Sequence, residues 1–458
     1  MKLSELGVTI LPEHIQSEGA AKVVETLADR VGVSSVTTSP YVAAPAAPGE
    51  GHREPPLDAG DGKGRLLDRA LWGRREVWMT AASSFRPNPT LYDGLRYRPP
   101  EAEALTDAEG PVVGAFLDAA KARGLETWMQ IQAAIPPCHR VQFGGPHEDD
   151  HCLMPDGSPV TGRVDKNASL ASEDLRRYLR AFVTDLCRAY PQIDGFRFDW
   201  PEYPAYHFET LFFDFNPAAA RYAPPLGFDF ATLRQGCQAV LDDLSSGAVR
   251  RKRIAVEDWA AFRKSLFAAY PVLAELLAFR TAIVTDHVRF LREVVDTASG
   301  GRAKLFLQTF PPPLNVLTGF DLAEAGRHSD VIGVKFYTMH WPMIERNYLT
   351  ALSARTDLPP RAIARALSAI LSLSPRTDRD PETIRYPGPD DAHPSDSDDI
   401  VAKAREARGA VGPGTRLCGL THAYGPVADM LRRFAAVAEG TGGAVHFNRF
   451  GYMSDEKL

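Results

Sequence analysis

Short apolar runs rich in β-branched and aromatic residues alternate along the chain with amphipathic helical patterns. Each run ends in polar, aromatic or proline residues, which is typical of strands in βα units. A helical period of three and four residues runs from Leu175 to Leu186, and Pro191 ends that pattern. Eight runs are predicted as strands, at residues 7–11, 33–38, 125–131, 193–198, 304–307, 331–336, 416–420 and 443–447.

Eight strands separated by helices predict an α/β fold, a (β/α)8 TIM barrel with long βα loops. The alternative, an open doubly wound sheet, is disfavoured because no G-x-G-x-x-G turn follows an early strand. We predict one domain over residues 1–458, with an extra strand at 76–80 and a loop without regular structure at 43–63. Loop insertions are predicted near residues 43–75, 138–165, 200–230 and 376–400, the last as a candidate lid.

The carboxyl ends of barrel strands share one rim, where barrel enzymes carry their catalytic groups. In this sequence the strand ends combine amides, acids, imidazoles, a lysine and aromatic rings. Amides and carboxylates hydrogen-bond hydroxyl groups, and aromatic rings offer flat apolar faces, so this set indicates a sugar or oligosaccharide ligand. The predicted substrate-binding residues are Glu13, His14, Gln130, Gln132, Arg197, Trp200, Gln308, Lys335, Tyr337, His340, His422 and Asn448.

Composition narrows the class of protein. The 458 residues include 52 Lys or Arg and 58 Asp or Glu, a net charge of -6, and no run of like charges suits nucleic acid or an anionic membrane. No segment predicts a signal peptide, a membrane span or a phosphate-binding glycine loop, so we expect a cytoplasmic protein without a cofactor. Five scattered cysteines predict free thiols in a reducing compartment. The oligomeric state stays open.

The segment DGFRFDWPEYP at 194–204 carries the clearest chemical signal. Its first part, DGFRFD, resembles the fourth-strand motif of α-amylase-type glycoside hydrolases, and its second part resembles uncharacterised glycosyl-hydrolase-like barrels. The resemblance implies a glycoside hydrolase in which Asp199 is the nucleophile and Arg197 keeps it ionised. An amide and an imidazole replace the family's acids after strands five and seven. We therefore predict Glu202 as the second catalytic acid, with Glu13 as second choice.

Other interpretations stay open. Lys335, at the end of the sixth strand, is where class I aldolases place a Schiff-base lysine, so a lyase or aldolase is one alternative. A carbohydrate-binding barrel without catalysis is another, and Asp199 with Arg197 equally suits a buried ion pair that closes the barrel. The loop at 138–152 is rich in cysteine and histidine, but its spacing matches no standard zinc site, and no metal is predicted. The sugar, its linkage and the stereochemical outcome stay open.

Overall fold

The computed structural model describes residues 3–57, 62, 64–160, 162–374 and 379–458. Eight parallel strands form a closed barrel, so the predicted TIM-barrel fold is confirmed. The strands are β1 (Glu5–Thr9), β2 (Ser35–Thr38), β3 (Tyr41–Ala46), β4 (His52–Glu54), β5 (Val77–Ser83), β6 (Glu126–Gln132), β7 (Gly195–Asp199), β8 (Lys304–Thr309), β9 (Val331–Phe336), β10 (Arg416–His422) and β11 (Ala444–Asn448).

The barrel runs through β1, β2, β6, β7, β8, β9, β10 and β11, and β11 closes onto β1. Gln132 of β6 pairs in register with Asp199 of β7, and Lys335 of β9 pairs with Leu420 of β10. The predicted strand at 331–336 coincides with β9, and the other seven predicted strands overlap barrel strands with ends displaced by two residues or fewer.

Helices connect the strands and pack on the outside of the barrel. In α5, for example, the Ser172 side chain accepts the backbone N–H of Leu175 and caps the helix, and the apolar period predicted for this segment is buried. The helices are α1 (Pro12–Glu18), α2 (Ala20–Glu25), α3 (Ala104–Glu109), α4 (Pro111–Ala122), α5 (Glu173–Ala189), α6 (Pro217–Tyr222), α7 (Phe230–Ser245), α8 (Trp259–Ala269), α9 (Pro271–Ser299), α10 (Leu314–Leu317), α11 (Leu322–Gly326), α12 (His340–Arg355), α13 (Pro360–Ile370), α14 (Ser397–Val411) and α15 (Val427–Thr441).

A second, antiparallel sheet with the order β3-β5-β4 follows the second barrel strand. The predicted extra strand corresponds to β5, but the prediction of an unstructured loop at 43–63 is wrong, because β3 and β4 pair with the two sides of β5. Pro45 favoured the prediction of a loop, because proline cannot donate a backbone hydrogen bond. It is accommodated because β3 is an edge strand. Three of the predicted insertions include residues 58–61, 63, 161 and 376–378, which lie outside the described residues.

Large rings fill the barrel interior, and glycines on neighbouring strands make room for them. A Cβ atom at any of these glycines would come within 2.6 Å of the neighbouring ring. Gly7 faces His446, Gly195 faces Trp128, and Gly333 faces Phe306. The barrel interior is therefore a packed core, and among the barrel strands a ligand has room only at the rim.

Within the described residues, no single helix is both long and apolar enough to cross a membrane. The pair α8 and α9 passes that test together on length and composition, with a bend of 113° between the two helices.

Candidate active site

Asp199 is the last residue of β7 and lies at the carboxyl-end rim of the barrel. Its Oδ1 atom is 2.7 Å from the Nζ atom of Lys335, two strands further round the barrel. The backbone N–H of Trp200 donates to the same oxygen at 3.1 Å. The Asp199 side chain is 19% exposed and that of Lys335 only 4%, so the carboxylate is the member of the ion pair that a ligand can reach.

Aromatic rings enclose the ammonium group of Lys335. Its Nζ atom is 4.8 Å from the ring centroid of Trp200 and 5.0 Å from that of Phe310, within the range of about 6 Å for cation–π attraction. Trp200 has a φ of 62°, a left-handed backbone conformation that bulky residues rarely adopt outside functional sites. This conformation turns the chain after β7 and lays the indole beside Lys335.

Glu202 lies beneath the rim and is fully buried. Its carboxylate accepts hydrogen bonds from the hydroxyls of Thr309 at 2.8 Å and Thr318 at 2.5 Å, and from the backbone N–H of Phe310 at 3.0 Å. Burial raises the pKa of Glu202 to about 7, although the charge of Lys335 and the hydrogen bonds oppose the shift. Glu202 therefore links the loop after β7 to the end of β8 and carries a proton in part of the molecules near neutral pH.

Arg197 lies in the barrel interior, across from the first two strands. Its Nη1 atom donates to the hydroxyls of Thr9 at 2.9 Å and Thr37 at 3.3 Å, and its guanidinium is 5.0 Å from the ring centroid of Phe306. Because Arg197 precedes Asp199 by two residues on one strand, it occupies the next layer down on the same face. The cation paired with Asp199 is thus a lysine from β9, and not Arg197 as expected.

Two imidazoles and two phenol rings continue the rim beyond β9. Tyr206 and His340 share a hydrogen bond of 3.0 Å between the hydroxyl and Nδ1, and Tyr337 packs edge-on against His340 and His422 at 5.9 Å. Burial, together with the charge of Arg65, holds the pKa of both imidazoles well below the usual range. Neutral imidazoles both donate and accept hydrogen bonds, which suits sugar hydroxyls.

A buried network of acids and arginines occupies the side of the rim near β1. Glu13 accepts from the Tyr41 hydroxyl at 2.8 Å and from Arg140 at 3.0 Å, and Arg140 also donates to Glu54 at 2.6 Å. Burial raises the pKa of Glu13. At Glu54 burial is outweighed by the charges of Arg140 and Arg449, which hold its pKa at about 2. Glu13, the second-choice acid, is therefore fully paired and buried.

The other predicted rim residues are distributed around the barrel mouth. Gln308 donates from Nε2 to the Oε1 atom of Gln130 at 3.1 Å, and Gln132 is almost fully buried. Asn448 ends β11 beside His422 of β10. His14 is buried against an aromatic ring of the C-terminal segment, and burial lowers its pKa to about 3. His14 thus belongs to the core and not to the open rim.

Several rim residues escaped the sequence analysis because loops deliver them. Arg65 is nearly buried and lies within 6 Å of three tyrosine rings, those of Tyr386, Tyr424 and Tyr452. Arg140 and Tyr206 also lie on loops, and Glu54 ends the short strand β4, which the sequence analysis did not predict. Phe310 and Arg449 are the exceptions, because they lie within three residues of the ends of two predicted strands and directly follow β8 and β11, so their position was a usable signal.

The cysteine- and histidine-rich loop after β6 does not converge on a metal site. Cys138 and Cys152 are both buried, and burial raises the pKa of each thiol. His139 packs against α5, whereas His147 stacks on Tyr97 at 4.9 Å. In the part of the chain that the structure describes, no group of three or more His, Cys, Asp or Glu side chains is placed to hold a metal ion.

No protein-family model and no curated protein matches this chain. Similar solved structures include the catalytic domain of β-amylase from Paenibacillus polymyxa, with 9% identity over 99% of this chain and 94% of that chain and a TM-score of 0.48. A β-glucosidase shares 12% identity over 74% of this chain and 67% of that chain, with a TM-score of 0.33. The Group IV chitinase of Ostrinia furnacalis shares 10% identity over 73% and 52%, with a TM-score of 0.30. At these identities and TM-scores the likenesses identify neither an activity nor a substrate.

Proposed function

We propose that this protein is a glycoside hydrolase that acts on a sugar or oligosaccharide at the carboxyl-end rim of the barrel. The observation that supports this most directly is the partly exposed carboxylate of Asp199, which Lys335 holds at the end of a barrel strand. A carboxylate beside a sugar ring acts at the anomeric carbon, either as a nucleophile or as a base for water, and the leaving oxygen of an aryl glycoside takes up its proton from solvent. The neutral imidazoles and amides nearby are suitable partners for sugar hydroxyls.

We assign Asp199 as the catalytic residue and Glu202 as a positioning residue. Full burial and three accepted hydrogen bonds leave Glu202 no contact with a ligand. Its charge nevertheless acts on Lys335, so its ionisation near pH 7 changes how strongly Lys335 is attracted to Asp199. The dependence of kcat on pH should therefore show an inflection near 7 in the wild type, and the Glu202→Gln variant should lack it while keeping measurable turnover.

Asp199→Asn tests the proposal directly. The amide keeps the shape of the side chain but removes its charge and nucleophilicity, so hydrolysis in a panel of aryl glycosides should fall by at least about a hundred-fold. Asp194→Asn is a matched control, because Asp194 precedes the same strand at its opposite end and pairs with Lys121 at 2.8 Å. The control should keep wild-type turnover per folded molecule.

An unchanged rate in Asp199→Asn would remove Asp199 from the mechanism. If no glycoside is hydrolysed but glycans bind in a way that depends on Asp199, the protein is a carbohydrate-binding barrel and the hydrolase proposal is wrong. Circular dichroism of each variant shows whether a lost activity reflects a lost fold.

A lyase or aldolase remains the second candidate, because Lys335 is a nearly buried amine between two aromatic faces. A Schiff-base lysine must be an uncharged amine when it attacks a carbonyl, whereas the contact with Asp199 is an ion pair of the charged form. This candidate predicts that borohydride traps a carbonyl substrate on Lys335. Turnover of a carbonyl substrate without any trapped adduct would exclude it.

A further inference from the structure

A cavity of about 500 Å³ lies outside the barrel, among the helices inserted between β7 and β8 and the neighbouring helices α12 and α13. Its walls are mostly large apolar side chains, and its volume falls within the range of roughly 300–1,000 Å³ seen for small-molecule sites. Its lining residues do not include the rim residues around Asp199. Representative wall residues are Leu211, Leu244, Trp259, Phe267, Leu277 and Ile363.

Within the described part of the chain, every charged residue that lines this cavity is a cation. These residues are Arg250, Lys252, Arg263 and Arg280. The first two belong to the segment Arg250–Arg253, four consecutive exposed basic residues, and Arg263 is exposed on α8. Arg250 pairs with Asp357, and Lys252 lies 5.1 Å from the ring centroid of Tyr270. Two acids of the same loop, Glu257 and Asp258, are also exposed, and Asp258 is used as the cap of α8.

Apolar side chains continue from the cavity onto the surface beside these cations. Val256 is 44% exposed and Leu358 is 40% exposed, and both line the cavity. Apolar surface beside basic residues favours anionic amphiphiles, because the apolar part is buried while the charge attracts the headgroup.

The inner wall offers no accessible charge. Arg280 is 1% exposed, its Nη1 atom donates to the backbone carbonyls of Thr210 and Leu211, and its guanidinium is 4.9 Å from the ring centroid of Tyr203. Its Nε and Nη2 atoms have no hydrogen-bond partner but are equally enclosed, so a charged headgroup placed inside the cavity would lose its hydration without reaching them. The headgroup must stay at the basic mouth, and only an apolar chain suits the interior.

We propose that this cavity binds a single-chain amphiphile with an anionic headgroup, such as a fatty-acid anion. The acyl chain lies in the cavity, where its burial supplies roughly 25 cal/mol per Å² of apolar surface. The carboxylate lies at the mouth beside Lys252 and Arg263, whose positive charge favours an anion over a neutral or cationic headgroup. This proposal concerns a separate site and does not depend on the glycosidase proposal.

Titration calorimetry with three probes of equal chain length tests the proposal on the whole protein: dodecanoate and dodecyltrimethylammonium below their micelle concentrations, and dodecanol below its solubility limit. Dodecanoate should bind at one site per chain and more tightly than the other two. Ala366→Trp places a ring in the cavity without removing any charge, and it should raise the Kd of dodecanoate by at least about ten-fold. A matched surface change, Ala402→Trp, should have no effect.

Charge reversal at Arg251, Lys252 and Arg253 to Glu separates the headgroup from the chain. This triple change should raise the Kd of dodecanoate by about ten-fold or more and leave the Kd of dodecanol unchanged. Reversal of three scattered exposed cations, Lys22, Arg74 and Arg188, gives the same net charge and should change neither Kd.

Three outcomes would overturn the proposal. One is equal binding of the three probes, and another is dodecanoate binding that Ala366→Trp does not weaken. The third is association with anionic phospholipid vesicles or with a second copy of this chain while monomeric dodecanoate does not bind, since the face would then be a docking surface and not a ligand cavity.

Discussion

Lys335 is in contact with one carboxylate and two aromatic rings, so its substitution should affect both stability and turnover. Lys335→Met keeps the apolar contacts with Trp200 and Phe310 but leaves Asp199 without its cation. Removing one partner of a buried ion pair costs about 3–5 kcal/mol, and partial exposure of Asp199 reduces this cost, so we expect a loss of about 2 kcal/mol in the free energy of unfolding. Denaturant titration measures the loss.

The double variant Asp199→Asn with Lys335→Met controls for packing. If the ion pair matters, the double variant should be more stable than the sum of the two single changes predicts, by about 1 kcal/mol or more. Strict additivity would show that the two groups do not interact in the folded protein. Lys335→Met should also lower kcat, because the carboxylate loses its orienting partner.

Glu202 should make stability depend on pH in a definite direction. Its pKa is raised from 4.5 to about 7, mainly by burial. Between these values the unfolded chain loses the proton and the folded protein keeps it, so Glu202 reduces stability as pH rises from 4.5 to 7. Glu202→Gln removes this effect. The free energy of unfolding of the variant, relative to that of the wild type, should therefore increase by up to about 3 kcal/mol as the pH rises through that range.

Unfolding by denaturant at several pH values measures this linkage. The amide introduced by Glu202→Gln can accept from the backbone N–H of Phe310 and donate to the two threonine hydroxyls, so the fold should persist. Glu101→Gln, at an exposed position, is the control, and its free energy of unfolding should depend on pH as that of the wild type does. A parallel curve for Glu202→Gln itself would mean that Glu202 is not buried as described.

Among the strands, the close fit of ring against glycine predicts which substitutions the barrel rejects. A Cβ atom at Gly333 of β9 would lie 2.5 Å from the Phe306 ring and 3.0 Å from Leu420. Gly333→Ala should therefore destabilise by about 1–3 kcal/mol, the usual cost of overpacking a core. Gly409→Ala on α14 is the matched control, because nothing lies within 4 Å of its Cβ position. It should stabilise by about 0.5–1 kcal/mol.

Thermal unfolding of both variants checks this prediction at the level of the strand. If Gly333→Ala melts at the wild-type temperature, the interior of the barrel is looser than the ring contacts indicate. If Gly409→Ala is destabilising, the space around its Cβ position is tighter than the structure indicates.

The elements that the sequence predicted well are those with a strong local pattern. β9 was predicted to the residue because the apolar run VIGV begins directly after Ser329 and Asp330, and Lys335 is the single polar residue before the strand ends at Phe336. β3 and β4 were missed because short edge strands rich in alanine and charge have no such pattern, and their pairing with β5 depends on tertiary contacts.

The candidate site divides in the same way. Asp199 and Lys335 were placed on one rim because parallel strands end on one side of a barrel, and their ion pair agrees with that placement. The depth of a side chain below the rim has no local signal, so Glu202 and Arg197 were expected at the surface and lie beneath it. Loop residues such as Arg65 had no signal at all, because only the closed fold brings them to the mouth.

At the scale of the whole molecule, the reactivity of five buried cysteines can be used to follow cooperative unfolding. They were predicted to be free, and all five are free thiols. Burial raises the pKa of Cys187 to about 11 and that of Cys237 to about 12, and it raises the pKa of the other three well above the usual range. Because only the exposed thiolate reacts with a disulfide reagent, the native protein should show no fast-reacting thiol near neutral pH.

The five thiols lie in different parts of the fold, on α5, α7 and β10 and in the loop after β6. If the chain unfolds as one cooperative unit, all five should react together with Ellman's reagent, at a rate set by global opening and accelerated by guanidinium chloride. Cys187 is 9% exposed and the others are less exposed, so any earlier phase should belong to Cys187 and disappear in Cys187→Ser. Fast labelling of Cys418 in native buffer would contradict the packed barrel, because that thiol lies on β10 and is fully buried.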